Sequence, residues 1–274
     1  METLYLDLLK KCLLGETSWE NEARILYLRD CAQGTRTYDC DTELHLEQRL
    51  PEFCRQFREL SRIGRFVDDR VENLGYQPTM VGRLRLENVE DCLNCILRDS
   101  IPGDLMECGV WQGGVTIFMR GFLRARGITD RLVWVADSFA GIPASRLPQD
   151  LDEDLSAARF PNLAVPLERV KSLFVRYDLL DAQVRFLEGL FRDTLPCAPI
   201  GTLALLRIDA DLYESTRDVL EALYSKVSPG GFVIVDDYGC IPACRQAVDE
   251  FLALRGLTPT IHQVDWTGVY WQKE

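Results

Sequence analysis

Four acids stand where two apolar runs end. In "LALLRIDADLYEST" (203–216) the run Leu203–Ile208 leads into Asp209 and Asp211, and in "GGFVIVDDYG" the run Phe232–Val235 leads into Asp236 and Asp237. Apolar runs of this length read as buried strands. If the two strands are neighbours, Asp209, Asp236 and Asp237 gather at their tips. Carboxylates that close raise one another's pKa unless a cation sits among them. Hard oxygen ligands suit Mg²⁺ or a similar ion rather than zinc. A solvated or turn-capping role explains either Asp236 or Asp237 alone and explains the set poorly. Asp211 falls on the same side as Asp209 if the strand pitch persists. There it can take the proton of a hydroxyl whose pKa the ion lowers, an effect that for zinc-bound water reaches roughly nine units.

A second concentration of candidates lies in "MECGVWQGGVTIFM", where Glu107, Gly109, Gly113 and Gly114 join a strand to a helix. Glycines admit close approach to the backbone, and a helix N-terminus favours negative charge. The spacing lacks the G-x-G-x-x-G of a dinucleotide site, and Glu107 stands where a pyrophosphate would lie. The next strand ends in "VADSFAGIP", placing Asp137 where doubly wound folds carry an acid for ribose hydroxyls; helix capping is the alternative role for Asp137 and Ser138. An adenosine with a cationic tail is S-adenosylmethionine, and Glu107 with Asp137 fits that ligand.

These acids need a sheet to position them. From Gly103 onward, apolar runs alternate with helical segments, as in parallel βαβ units. Strands are predicted at 104–110, 131–138, 183–189, 203–210, 231–237, 259–265 and 267–273. The last two are too close for a crossover helix and should pair antiparallel at the edge. The fold class is therefore α/β, with a seven-stranded, mostly parallel sheet. Residues 1–75 read as a helical N-terminal cap, lid or oligomerisation region, and 76–274 as the catalytic domain. The cap contains an apolar stripe from Leu4 to Leu13 and a helical stretch over 44–74 broken at Pro51. The stripe suits either a second subunit, in a homodimer or larger assembly, or closure over the acceptor. "IPASRLPQDLDEDLSAARFPNLAVP" (142–166) reads as a mobile loop over one end of the sheet.

The chain has 274 residues and a net charge of −12, so its field repels phosphate backbones and anionic lipids. No nucleic-acid or membrane partner is expected. Its start lacks a signal-peptide pattern, and a cytoplasmic location is expected. Ten cysteines, Cys92 and Cys95 among them, suit reduced thiols packed in the core. His45 and His262 fall in a cap helix and an edge strand, away from the acids.

The segments "YQPTMVGRLRLENV", "GDLMECGVWQGGVTIFMRG", "VWVADSFAGIP", "VRFLEGLFRDTLP", "LLRIDADLYESTRDVLEALYSKVSPGGFVIVDDYG" and "VDWTGVYW" resemble the macrocin O-methyltransferase family of macrolide and aminocoumarin biosynthesis. The resemblance spans roughly residues 75–274. It implies a Rossmann-like class I methyltransferase that uses S-adenosylmethionine and Mg²⁺ to methylate a sugar hydroxyl of a glycosylated small molecule. It also implies Asp209, Asp236 and Asp237 as metal ligands and Asp211 as general base. Thr79, Met80, Glu107, Gly109, Asp137, Ser138, Gly189, Phe191 and Asp209 are the implied cofactor contacts. The segment 16–75 does not align with the shorter N-terminal region usual in the family.

Two rival readings are a metal-dependent glycosyltransferase, whose D-x-D would match Asp209 and Asp211, and a noncatalytic nucleotide-binding protein. A diphosphate site disfavours Glu107. A noncatalytic relative would be expected to lack the acids.

Overall fold

The five apolar runs that end in or near candidate site residues form parallel strands, and the two C-terminal runs close one edge antiparallel. The computed structural model describes residues 2–62, 77–144, 146–150 and 154–274. In chain order the elements are α1 (Glu2–Leu13), α2 (Trp19–Ala32), α3 (Cys40–Leu44), α4 (Leu46–Arg49), α5 (Pro51–Arg62), α6 (Arg83–Arg98), β1 (Asp104–Cys108), α7 (Gly114–Ala125) and β2 (Val133–Asp137). They continue with α8 (Leu167–Arg176), β3 (Val184–Glu188), α9 (Phe191–Thr194), β4 (Leu203–Ile208), α10 (Tyr213–Leu223), β5 (Val227–Val235), α11 (Pro242–Leu254), β6 (His262–Gln263) and β7 (Val269–Gln272).

The sheet order is β3-β2-β1-β4-β5-β7-β6. β7 runs antiparallel between β5 and β6, as its short connection requires. The chain winds outward from β1 to β3, then returns to β4 beside β1. This reversal opens a crevice beyond the carboxyl ends of β1 and β4, where such sheets bind ligands. Among the described residues, no helix is long and apolar enough to cross a membrane.

Alternation along the strands sorts the core into two layers. Leu105, Val133, Val135, Phe232 and Ile234 pack with α1, α6, α7 and α8, while Met106, Trp134, Leu206, Val233 and Val235 pack with α10 and α11. The same alternation sets which way each acid at a strand tip points.

Within the described part of the expected 1–75 region, α1 and α2–α5 pack into different cores. Leu6, Leu9 and Leu13 of α1 are buried in the main core, which places α1 with the sheet. Each such side chain contributes roughly 1.5–3 kcal/mol by leaving water. The other part of the α1 stripe, Leu4, Tyr5 and Leu8, remains exposed. By contrast, Ala23, Tyr27, Leu46 and Cys54 of α2–α5 form a separate small core. The break expected at Pro51 falls between α4 and α5, with Pro51 opening α5, where its missing N–H costs nothing. The rest of the predicted 44–74 helix, and the boundary at residue 75, lie outside the described residues.

The ten cysteines are all free, but only Cys54, Cys92, Cys108 and Cys244 are buried. Core filling therefore explains four of them, and Cys12, Cys40, Cys197 and Cys240 are exposed.

Candidate active site

Beyond the ends of β1 and β4 lies a cavity of about 640 Å³. Every site residue implied by the resemblance borders it: Thr79, Met80, Glu107, Gly109, Asp137, Ser138, Gly189, Phe191, Asp209, Asp211, Asp236 and Asp237; Gly113 and Gly114 do not. The bordering residues come from five strand ends and from the segment before α6.

β4 and β5 are adjacent, with Ile208 opposite Val235, so the acids after them meet. The carboxylates of Asp209, Asp211 and Asp237 converge, with one oxygen of each within 4.8 Å of the others. This trio differs from the expected one of Asp209, Asp236 and Asp237, because successive residues at a strand end point to opposite faces. Asp237 turns toward Asp211 and accepts its backbone N–H at 3.1 Å. Asp236 turns the other way, to Arg207 of β4 and Arg85 of α6, and is paired with both. Asp211 joins the cluster by a different route from the one expected. The strand pitch does not persist: Asp211 has φ +57°, left-handed backbone that non-glycine residues seldom adopt. A tight turn in which the Leu212 N–H reaches the Ala210 carbonyl brings Asp211 back toward Asp209.

Behind the acids lies a buried ion-pair network that sequence reasoning missed. Arg207 is 1% exposed and sits opposite Glu107 across β1 and β4. It pairs with Glu107, with Asp236, and with Asp209 at 2.7 Å. Arg85 pairs with Asp236 and, at 3.0 Å, with Asp265. Asp265 in turn accepts the backbone N–H groups of Thr267 and Gly268. A basic residue inside the apolar run "LALLRIDA" was the available signal for Arg207. Arg85 lies in an ordinary amphipathic helix and gave none.

The electrostatics follow from this layout. Burial pushes Asp237 well above the usual carboxylate range, and Asp211, Asp209 and Asp236 push it the same way. Burial, with Asp236, raises Asp209 to about 6 against the pull of Arg207. Burial also opposes ionisation of Asp236, but Arg207 and Arg85 outweigh it and hold its carboxyl below the ordinary value. Arg85 and Arg207 thus offset Asp236, and Arg207 also reaches Asp209, while the repulsion that Asp237 meets from Asp209, Asp211 and Asp236 remains. A hard divalent cation would relieve it, and the all-carboxylate donor set fits one.

The cofactor side has a different character. Glu107 is 2% exposed, and its Oε2 has no hydrogen-bond partner among the described residues although it is buried at the cavity. Burial pushes Glu107 up to about 8; Arg207 opposes the shift, and Asp209 and Asp236 add to it. An orphaned buried acceptor of this kind fits an ammonium or hydroxyl donor on a ligand. Asp137 is not the helix cap considered from sequence, because the residues after it turn rather than start a helix. It accepts the backbone N–H of Val110 at 2.8 Å, Trp111 at 3.3 Å and Phe139 at 2.8 Å, locking the turns after β1 and β2. Burial nevertheless raises its pKa against those donors.

The glycines after β1 are required by the packing of the chain itself. Gly109 has φ +86°, and a Cβ there would run into the Asp209 carbonyl. Gly113 caps α7 in left-handed backbone, and Gly114 lies against the Pro78 carbonyl. Together they allow β1, β4 and the Thr79 segment to close on one another. The histidines stay outside: His45 pairs with Asp41 between α3 and α4, and His262 stacks on Tyr270 at the sheet edge.

Sheet order, crevice and acid-tipped strands define a class I, Rossmann-like methyltransferase, and solved methyltransferase structures share the fold. The chain belongs to the macrocin O-methyltransferase (TylF) family, whose model matches residues 2–273. The match runs through 16–75, the segment that the sequence reading could not align. Among curated relatives, the chain is 53% identical over 196 residues to an 8-demethyl-8-(2,3-dimethoxy-alpha-L-rhamnosyl)-tetracenomycin-C 4'-O-methyltransferase of Streptomyces olivaceus, covering 71% of this chain and 75% of that one. It is 53% identical over 203 residues to a demethyldecarbamoylnovobiocin O-methyltransferase of Streptomyces niveus, with the same coverage. The structure of the O-methyltransferase NovP superposes with a TM-score of 0.79 at 42% identity, covering 100% of this chain and 99% of that one. The chain is thus an O-methyltransferase.

Proposed function

We propose that this enzyme transfers the methyl group of S-adenosylmethionine to a sugar hydroxyl of a glycosylated small molecule, with help from Mg²⁺ or a similar divalent cation. The observation that carries the reading is the meeting, in one cavity, of the acid trio Asp209, Asp211 and Asp237 with the unpartnered Oε2 of Glu107. The named acceptor of the Streptomyces olivaceus relative, a rhamnosyl tetracenomycin, supports a glycoside substrate.

Asp209, Asp237 and Asp236 are the proposed ion ligands. Asp236 takes part through the lone pairs that Arg85 and Arg207 leave, since each carboxylate oxygen has two. The ion would lower the pKa of the acceptor hydroxyl. Asp211 takes the proton; the sulfonium C–S bond breaks as the C–O bond forms, leaving S-adenosylhomocysteine and a methyl ether. Glu107 receives the positive end of the donor, while Asp137, Ser138, Thr79, Met80, Gly189 and Phe191 line its bed. Leu155, Phe160, Ile241 and Trp266 form the apolar side of the cavity and suit an aglycone.

The test is incubation of a glycoside panel with S-adenosylmethionine, with and without Mg²⁺, read by mass spectrometry. Gain of 14 mass units, about one CH₂, on the sugar supports the reading. Methylation only of the aglycone, or full activity after exhaustive chelation, rejects it.

A further inference from the structure

The turn that carries Asp211 is clamped from a distance. Helix α10 begins at Tyr213, and the residue before it, Leu212, has no side chain able to cap the first N–H groups. Those donors are instead taken by Asp150. Its Oδ1 accepts from the Tyr213 N–H at 2.6 Å and its Oδ2 from the Glu214 N–H at 3.1 Å. Asp150 is 0% exposed and ends a 3₁₀ turn, Pro148–Asp150, in the connection between β2 and α8. Asp211 lies only two residues before this cap, in left-handed backbone, with its own N–H held by Asp237.

The connection bearing Asp150 also walls the cavity, through Ile142, Leu155 and Phe160. It is tied to the donor side by the Trp111 indole N–H, which donates to the Asn162 carbonyl at 2.9 Å. One side chain thus joins the wall of the cavity to the start of the helix behind the acid trio.

We propose that Asp150 is a positioning residue that holds the Asp211 turn in register with the cavity wall by capping α10 from outside the helix. The proposal rests on the methyl-transfer reading for its kinetic consequence and on the structure alone for its conformational one. A bidentate charged acceptor on two amides suppresses fraying of the first turn of α10. Fraying would release the strained backbone of Asp211 toward ordinary φ values and carry its carboxylate away from Asp237.

The experiment compares wild type, Asp150→Asn and Asp150→Ala. Amide hydrogen exchange over residues 209–216 is measured without substrate; kcat and both KM values are measured on a glycoside that the wild type methylates. The expected result is faster exchange at Asp211, Tyr213 and Glu214 in both variants. Turnover per folded molecule should fall roughly 10- to 100-fold in Asp150→Ala and less in Asp150→Asn, which keeps one acceptor oxygen, a range typical of lost positioning. The KM for S-adenosylmethionine should stay within about twofold. Unchanged exchange at Asp211 overturns the proposal. So does normal kcat per folded molecule with a lowered Tm, the outcome for a cap that only stabilises. If wild type methylates no glycoside, the functional reading fails, and exchange at Asp211 alone decides the role of Asp150.

Discussion

Asp236 and Asp237 are adjacent in sequence and serve opposite faces of the sheet: Asp236 holds Arg85 and Arg207, while Asp237 faces Asp209 and Asp211. Their asparagine variants should therefore separate. Asp237→Asn removes a carboxylate that three neighbouring acids repel and keeps an oxygen for the Asp211 N–H, so the chelated protein should keep its stability or gain about 1 kcal/mol. Asp236→Asn leaves two buried guanidiniums undercompensated and should cost about 3–5 kcal/mol. Both should weaken divalent-ion binding about tenfold or more. Urea unfolding and calorimetric Mg²⁺ titration of the two variants check this, and equal stability losses would contradict it.

Glu107 gives the chelated enzyme a pH signature. Its folded pKa lies near 8, above the ordinary carboxylate value, so between about 4.5 and 8 the folded chain holds a proton that the unfolded chain releases. Stability supplied by that proton is fully present below the unfolded pKa and is lost as pH rises through 8. The slope reaches at most about 1.4 kcal/mol per pH unit. Urea midpoints measured across this window should fall with pH in wild type and fall less steeply in Glu107→Gln, where the raised Asp209 and Asp237 still titrate.

The parts of this site that were legible in the sequence are those governed by period and position. Strands such as "LALLRI" are recognisable because nearly every residue is apolar, and acids at their tips stand out against that background. Legibility stopped where a side chain depends on a turn or on a distant partner. Asp211 was expected to follow the strand pitch of Asp209; its positive φ belongs to a turn whose geometry the local residue types do not dictate. The Asp236–Arg85 pair joins residues 151 apart in the chain, and no local pattern announces it. The same holds for α1, whose stripe is visible but whose docking on α7 is a tertiary fact.

Asp211 is the proposed base, and its removal should act on chemistry rather than on binding. Asp211→Asn keeps the size and the backbone N–H that Asp237 accepts. Loss of general-base catalysis costs typically 10²- to 10⁴-fold in kcat. S-adenosylmethionine affinity, measured by calorimetry, should be unchanged. A variant with wild-type kcat would remove Asp211 from the mechanism.

Gly109 is the point where β1 and the acid turn after β4 approach most closely. Its N–H donates to the Ala136 carbonyl, while the Asp209 N–H donates to the Cys108 carbonyl, so the strand tips are tied together. Gly109→Ala meets two penalties, a φ of +86° and a Cβ driven into the Asp209 carbonyl. Gly34 offers the control, because it has φ +75° with open space around it. Gly34→Ala should lose only the backbone term, about 1 kcal/mol. Gly109→Ala should lose about 2–4 kcal/mol, since overpacking adds to strain. The strand tip can relieve the clash only by moving Asp209, so divalent-ion affinity should fall in Gly109→Ala and stay at the wild-type value in Gly34→Ala. Parallel urea unfolding and Mg²⁺ titration separate the two terms; equal losses in both variants would show that close approach to Asp209 contributes nothing.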